Sequence, residues 1–390
     1  MTGPRLPYSR PIALVMGALF VVGCSAPSTP TPRATVAESP PASSAEPTRA
    51  PATASASPSV AATGPSPSES ASTPPATRLP AHVFAPYLEM YSGDRVLTLA
   101  QGSGARHFTL AFLETTGTTS CDIGWDGAGG FSDQGSMQLI DDAKALRAMG
   151  GDIIPSFGGY SADNQGREIG DSCADPAAIA DAYQSVIRTF GVSRLDMDVE
   201  DESLTKPDGI DRRNKGLKIL QDRLAASGGS VEIEYTLPTS PDGLDGDGLA
   251  VLRNAVDNGT QVDIVNIMVF DYYDGTTTDM GAAAIAAAQA LHGQLATLYP
   301  AKSDDVLWAM IGLTLMPGID DYPKKTEVTT LKHAQHVLAF ARQHGLASLS
   351  MWAVERDHGT CPGEAGSDGC SGIKQADWAF TKLLAGFTGP

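Results

Sequence analysis

Basic residues are scarce in this chain: 27 Lys and Arg stand against 45 Asp and Glu, a formal net charge of -18 over 390 residues. That balance argues against nucleic acid or another anionic polymer as a partner, whereas a neutral glycan meets no electrostatic penalty. Cysteine is scarce too, with five residues and no Cys-x-x-Cys pair, and the seven histidines form no ligand-rich cluster. No metal site and no cofactor are therefore expected; His333 and His336 share a helix face as a solvated pair. Aromatic residues make up only 6% of the chain, and no separate module with rows of Trp or Tyr is visible. The longest early apolar stretch, Ile12 to Val22, falls short of the roughly 20 residues that a membrane-spanning helix needs.

What is present at the N-terminus reads as an export signal over residues 1–24. Arg5 and Arg10 give it a positive start, Ile12 to Val22 an apolar core, and Val21-Val22-Gly23-Cys24 a small-residue cleavage site. That ending resembles a bacterial lipobox, which implies that Cys24 becomes the lipidated first residue and anchors the chain to an extracytoplasmic membrane face; a plain secretory signal with an incidental Cys, giving a secreted protein, is the alternative. From Ser25 to Pro80 the chain is almost wholly Pro, Ala, Ser and Thr. A segment with so little apolar surface cannot offset its ordering entropy, so residues 25–80 are expected to be a disordered, Pro-stiffened stalk. The folded domain is expected over residues 81–390, a size normal for an α/β barrel.

Four cysteines lie in that domain: Cys121, Cys173, Cys361 and Cys370. Export would expose them to an oxidising compartment, and an even number allows two bridges in three connectivities. The pairs Cys121–Cys173 and Cys361–Cys370 are favoured because each sits in loops that follow strand-like segments. Those segments recur at Val83–Tyr87, Phe108–Phe112, Asp152–Ser156, around Asp196, Val231–Tyr235, Asp263–Met268, Val306–Met310 and Leu346–Met351. Amphipathic stretches such as Met137–Met149, Pro176–Phe190 and Lys215–Leu224 lie between them. Eight strand–helix units predict a parallel sheet closed into a (β/α)₈ barrel.

The most informative stretch is Arg194-Leu195-Asp196-Met197-Asp198-Val199-Glu200. On a strand, Asp196, Asp198 and Glu200 stand in a row on one face and the apolar residues on the other. Three like charges in a row are unfavourable, so at least one carboxyl is expected to hold a proton, which is what a general acid requires. A calcium loop would need a Gly at its sixth position and more oxygen ligands, and Asp201-Glu202-Ser203 follow instead. A solvated edge strand would show interspersed Lys or Thr. Barrel chemistry gathers at the C-terminal ends of strands. There Ser156-Phe157-Gly158-Gly159-Tyr160, Asp271-Tyr272-Tyr273 and Trp352 join Glu200.

Taken together, these motifs resemble glycoside hydrolase family 18, the chitinase family, over nearly all of Ala81 to Phe387. The family's D-x-x-D-x-D-x-E reads Ser193 to Glu200 here, its S-x-G-G reads Ser156 to Gly159, its M-x-Y-D reads Met268 to Asp271, and its eighth-strand Trp is Trp352. The resemblance implies retaining hydrolysis of β-1,4-linked N-acetylglucosamine polymers, with the substrate's own acetamide as nucleophile. It implies Glu200 as general acid/base, Asp198 as orienter of the acetamide and Asp196 as its proton-sharing neighbour. Trp352 would form the apolar floor, and Asp271, Met268 and Tyr87 would line the sugar. Two departures stand out. Ser193 replaces the outermost Asp, expected deepest in the barrel, and Phe270 replaces a Tyr. Tyr272, two residues on and expected on the same face as Met268, is the candidate replacement for that hydroxyl. The chain would act as a monomer on a glycan. Rival readings are a non-catalytic glycan-binding lipoprotein and an endo-β-N-acetylglucosaminidase acting on N-glycans or peptidoglycan.

Overall fold

Alternation along each strand decides this architecture. In the strand Arg194–Asp198, Leu195 and Met197 turn outward into the main apolar cluster, while Arg194, Asp196 and Asp198 turn inward. Its neighbours do the same, sending Ile233, Tyr235, Leu237, Val265, Ile267, Leu313 and Leu349 outward. The core therefore lies between a sheet and a surrounding helical layer, and the sheet's inner face is left for polar side chains. The computed structural model describes residues 78–128, 134–321 and 326–389. The export signal, Cys24 and all but the end of the predicted stalk lie outside the described residues.

The strands in chain order are β1 (Val83–Phe84), β2 (Tyr87–Glu89), β3 (His107–Thr115), β4 (Ile123–Trp125), β5 (Asp152–Gly158) and β6 (Arg194–Asp198). They continue with β7 (Glu232–Pro238), β8 (Ile264–Met268), β9 (Ile311–Leu315), β10 (Gly318–Ile319), β11 (Val328–Thr329) and β12 (Ser348–Met351). The order β1-β12-β9-β8-β7-β6-β5-β3-β2 runs parallel throughout. Because β1 and β2 are two halves of one stretch, pairing with β12 and β3 respectively, the path returns to its start and makes the predicted (β/α)₈ barrel. Strand β4 hangs antiparallel on β3, and β10 with β11 forms a separate ribbon.

The helices are α1 (Val96–Ser103), α2 (Gln134–Ala148), α3 (Tyr160–Gln165), α4 (Ile169–Ser172), α5 (Pro176–Phe190), α6 (Asp201–Leu204) and α7 (Pro207–Ala226). After them come α8 (Gly246–Asn258), α9 (Met280–Leu298), α10 (Asp304–Trp308), α11 (Leu331–His344) and α12 (Ala379–Leu384). Helix α5 has the bounds its sequence announces. Asp175 caps it by accepting from the Ala177 N–H at 2.9 Å, Pro176 opens it and Gly191 closes it in the left-handed region. Among the described residues, no helix is long and apolar enough to cross a membrane.

Two sequence expectations need correction. The stretch Val306–Met310 is not the seventh strand. Extended Ser303 followed by Asp304 and Asp305 starts helix α10 there, and the strand is β9. Gly312, at the centre of β9, weakens its strand signal, yet any Cβ on it would meet Ser348 Oγ at 2.2 Å. The fold also begins before Ala81, since Leu79 packs with Val83, Ala85 and Ile154 in a small buried cluster. Both favoured disulfides are formed, with Cα–Cα distances of 4.7 Å for Cys121–Cys173 and 6.0 Å for Cys361–Cys370.

Candidate active site

Inside the barrel, the polar inner face forms one connected network centred on Asp196. Ser156 donates to Asp196 Oδ2 at 2.6 Å and Tyr87 to the same oxygen at 2.9 Å, while Thr236 donates to Oδ1 at 2.7 Å. Asn266 then donates to Thr236 at 3.0 Å and to Thr314 at 2.6 Å. Strand register explains the Ser156 contact, because Asp196 stands level with Ser156 on β5; on β7 it is level with Glu234, and Thr236 reaches it from one pleat higher. Asp196 is 1% exposed, and burial, then the Glu234 charge, push its carboxyl up to about 7, against the pull of the three hydroxyls.

Asp198 stands one pleat higher, level with Gly158 and Thr236. Gly158 has φ 101, and a Cβ there would lie 2.1 Å from the Asp198 carbonyl oxygen, so this approach of β5 to β6 requires glycine. Burial, then the charges of Glu200, Asp196 and Asp163, raise Asp198 well above the ordinary range, and its Oδ1 has no hydrogen-bond partner among the described residues. Glu200 continues the alternation in extended backbone beyond the strand and is only partly buried. Burial, then the Asp201 charge, push Glu200 up to about 7, with Asp271 adding to the rise and the Tyr160 N–H opposing it. The three carboxyls thus form the expected row, from a sealed base to a part-open top.

An aromatic group faces this row. The Trp352 ring lies 5.5 Å from that of Tyr87 and 5.5 Å from that of Phe112, nearly parallel to the latter at 13°. Tyr87, Ala111 and Ala353 pack with these part-exposed rings in a cluster apart from the main core. Met268 is inward and buried, on the same face as Asn266. Asp271 follows with φ 49, and burial, then the Asp321 charge, bring its carboxyl up to about 7.

Tyr272 does not share the face of Met268. Strand β8 stops at Met268 and the left-handed turn at Asp271 breaks the period of two, so Tyr272 packs against the main outer cluster. Its N–H donates to Glu327 at 2.8 Å, and its charged neighbours are Glu327, Asp274 and Asp320 rather than the carboxyl row. Tyr273 instead is exposed and hydrogen-bonded to Asp271. Ser193 likewise lies before β6, part-exposed, and the inward residue below Asp196 is Arg194, paired with Glu234 at 3.4 Å.

Sequence reasoning missed Phe112, Asp163 and a second carboxyl pair at the mouth. Glu89, one pleat above Tyr87, receives the Tyr91 hydroxyl at 2.7 Å and gives its N–H to Glu355 at 3.1 Å. Burial raises Glu89 to about 7 and Glu355 to about 8. The inward period from Tyr87 was the signal for Glu89; none pointed to Asp163.

No protein-family model matches the chain. It is 31% identical over 328 residues to the "Probable bifunctional chitinase/lysozyme" of Escherichia coli K12, covering 80% of this chain and 35% of that protein. It is 32% identical over 294 residues to "Endochitinase 11" of Metarhizium anisopliae, covering 73% of this chain and 54% of that one. The chain thus spans about a third to a half of the length of these two relatives. The crystal structure of the catalytic domain of a hyperthermophilic chitinase from Pyrococcus furiosus superposes with a TM-score of 0.69 at 33% identity, covering 81% of this chain and 97% of that chain. With likeness of that depth over the whole of the solved domain, the chain belongs to the chitinase family, glycoside hydrolase family 18.

Proposed function

We propose that this protein hydrolyses the β-1,4 bonds of chitin or its N-acetylglucosamine oligomers, with retention and with the substrate's acetamide as nucleophile. The observation that carries the proposal is the carboxyl row, sealed at Asp196, buried at Asp198 and part-open at Glu200, with the Trp352 ring against Tyr87, the donor to Asp196. Glu200, held neutral into the range of about 7, is the group that protonates the departing glycosidic oxygen and later takes a proton from water. Asp198, one pleat below, orients the acetamide N–H and opposes the positive charge that develops on the cyclised intermediate. Its free Oδ1 is suited to that contact. Asp196 shares protons with Asp198, so the row titrates as a set rather than as three separate acids. No second carboxylate nucleophile is needed, because the substrate-assisted route departs from the two-carboxylate scheme. Trp352, backed by Tyr87 and Phe112, offers an apolar floor to the C–H face of the reacting sugar.

Product analysis after incubation with defined N-acetylglucosamine oligomers tests this reading. The wild type should release shorter oligomers with the β anomer formed first, and Glu200→Gln should lose about 10²–10⁴-fold in kcat while still binding ligand. Equal rates in variant and wild type would remove Glu200 from its role. A wild type that binds oligomers and releases nothing would make the protein a glycan-binding member of the fold.

A further inference from the structure

The chain leaves β6 abruptly at the proposed acid. Val199 still follows the ladder, its N–H on the Thr236 carbonyl at 3.0 Å, but Asp201 already has φ 35. On the other side, the Gly159 N–H takes the Asp198 carbonyl at 3.0 Å, and the chain then peels away through Gly159, at φ 83, into α3. The next donor along β6, the Glu200 N–H, is thereby left without a β5 carbonyl. A buried amide without a partner costs about 1–3 kcal/mol and leaves the backbone free to shift.

Helix α3 supplies what the strand withdraws. Asp163 Oδ2 accepts the Glu200 N–H, and Asp163 is 0% exposed. The same helix touches the acid once more and its neighbour once: the Tyr160 N–H reaches the Glu200 carboxyl, and Asn164 Nδ2 donates to Asp201 Oδ2 at 3.2 Å. Asp163 Oδ1 has no hydrogen-bond partner among the described residues and would stand 3.6 Å from a Cβ on Gly158, the residue level with Asp198. The charges of the buried Glu168–Arg213 pair, 3.0 Å apart, also act on Asp163. Placing a carboxyl in such acidic surroundings is costly, and a merely space-filling residue would avoid that cost.

We propose that Asp163 is a positioning residue for the acid: by holding the backbone N–H of Glu200 it fixes where the acid's side chain begins, and so its placement above Asp198. The inference rests on Glu200 having the role given under the proposed function. Asp163→Asn keeps an oxygen that accepts the N–H, and Asp163→Ala removes it. With chitooligosaccharides, Asp163→Ala should lower kcat about 10²-fold at nearly unchanged KM, the scale of a 1 Å misplacement, and Asp163→Asn should recover most of that loss. Equal loss in both variants, or none in Asp163→Ala, overturns the proposal. If Asp163→Ala does not fold, hydrogen exchange at the Glu200 amide in the wild type and in Asp163→Asn decides. Slow exchange in both supports the contact, and exchange as fast as in an exposed loop refutes it. A wild type that cleaves no oligomer would count against the proposed function alone, and the amide measurement would still report on Asp163.

Discussion

Raising the pH from 5 to 8 should destabilise the ligand-free protein, because folding buries carboxyls that hold their protons more tightly than the unfolded chain does. Asp196 illustrates the size of the effect. Its ordinary value of 3.8 is lifted to about 7 in the fold. Where the native state binds more protons than the unfolded state, stability falls as pH rises, and the fall begins near the unfolded value and ends above the folded one. Between pH 5 and 8 that difference amounts to about 2–3 kcal/mol for one such group, at about 1.36 kcal/mol per pKa unit. Asp196 shares protons with its neighbours, so the figure belongs to the row, with the solvent access of Glu200 trimming that residue's share. Glu89, Asp271 and Glu355, raised to about 7, about 7 and about 8, push in the same direction. Asp274, pulled down to about 2 by Thr277 and Thr276, is ionised throughout the window and contributes no slope. For a domain of roughly 300 residues, about 1 kcal/mol moves Tm by about 1.5 °C, so Tm should drop by about 4 °C or more from pH 5 to 8. Thermal melts at constant ionic strength measure this, with Glu355→Gln as a control that should flatten the slope. A Tm that is level or rises over that range would mean that these carboxyls are not held protonated, and the account of the row would fail with it.

Ser156→Ala removes the shortest donor to Asp196 and should push that carboxyl still higher. A hydrogen bond to a charged group is worth about 1.5–3 kcal/mol, so the acid limb of the kcat/KM profile should move up by about one to two pH units; an unmoved limb would show that Asp196 is not the group being titrated. The two disulfides close loops of 52 and 9 residues. Loop-closure entropy assigns them about 4 and about 2.6 kcal/mol, so converting Cys121 and Cys173 to Ser should lower Tm more than the same change at Cys361 and Cys370. The reverse order would contradict the entropic account.

The barrel was legible in the sequence because β6 and its neighbours keep a strict period of two and helices such as α5 carry clear caps. The carboxyl row was legible for the same reason. The seventh strand was not, since Val306–Met310 is as apolar as a strand while its caps belong to a helix, and the true strand is interrupted by Gly312. Tyr272 was misplaced by extending strand periodicity past Met268, where the strand ends and one left-handed residue, Asp271, breaks the alternation. Asp163 carries no local signal at all: it sits in a short polar helix, and only the tertiary approach of that helix to Glu200 gives it a role. The glycine at 158 was visible as a motif, but the carbonyl it makes room for was not.

The donors that hold Asp196 come from far apart in the chain, Tyr87 being 109 residues away in one direction and Thr236 40 in the other. Tyr87 itself is kept in place by a stave whose first half is zipped to β12, near the opposite end of the domain. A lesion at either extremity would therefore unpick contacts at the middle, and the carboxyl row around residue 200 depends on segments near 85 and 350 having met. Catalytic competence in such a ring is a property of its closure, not of any contiguous stretch.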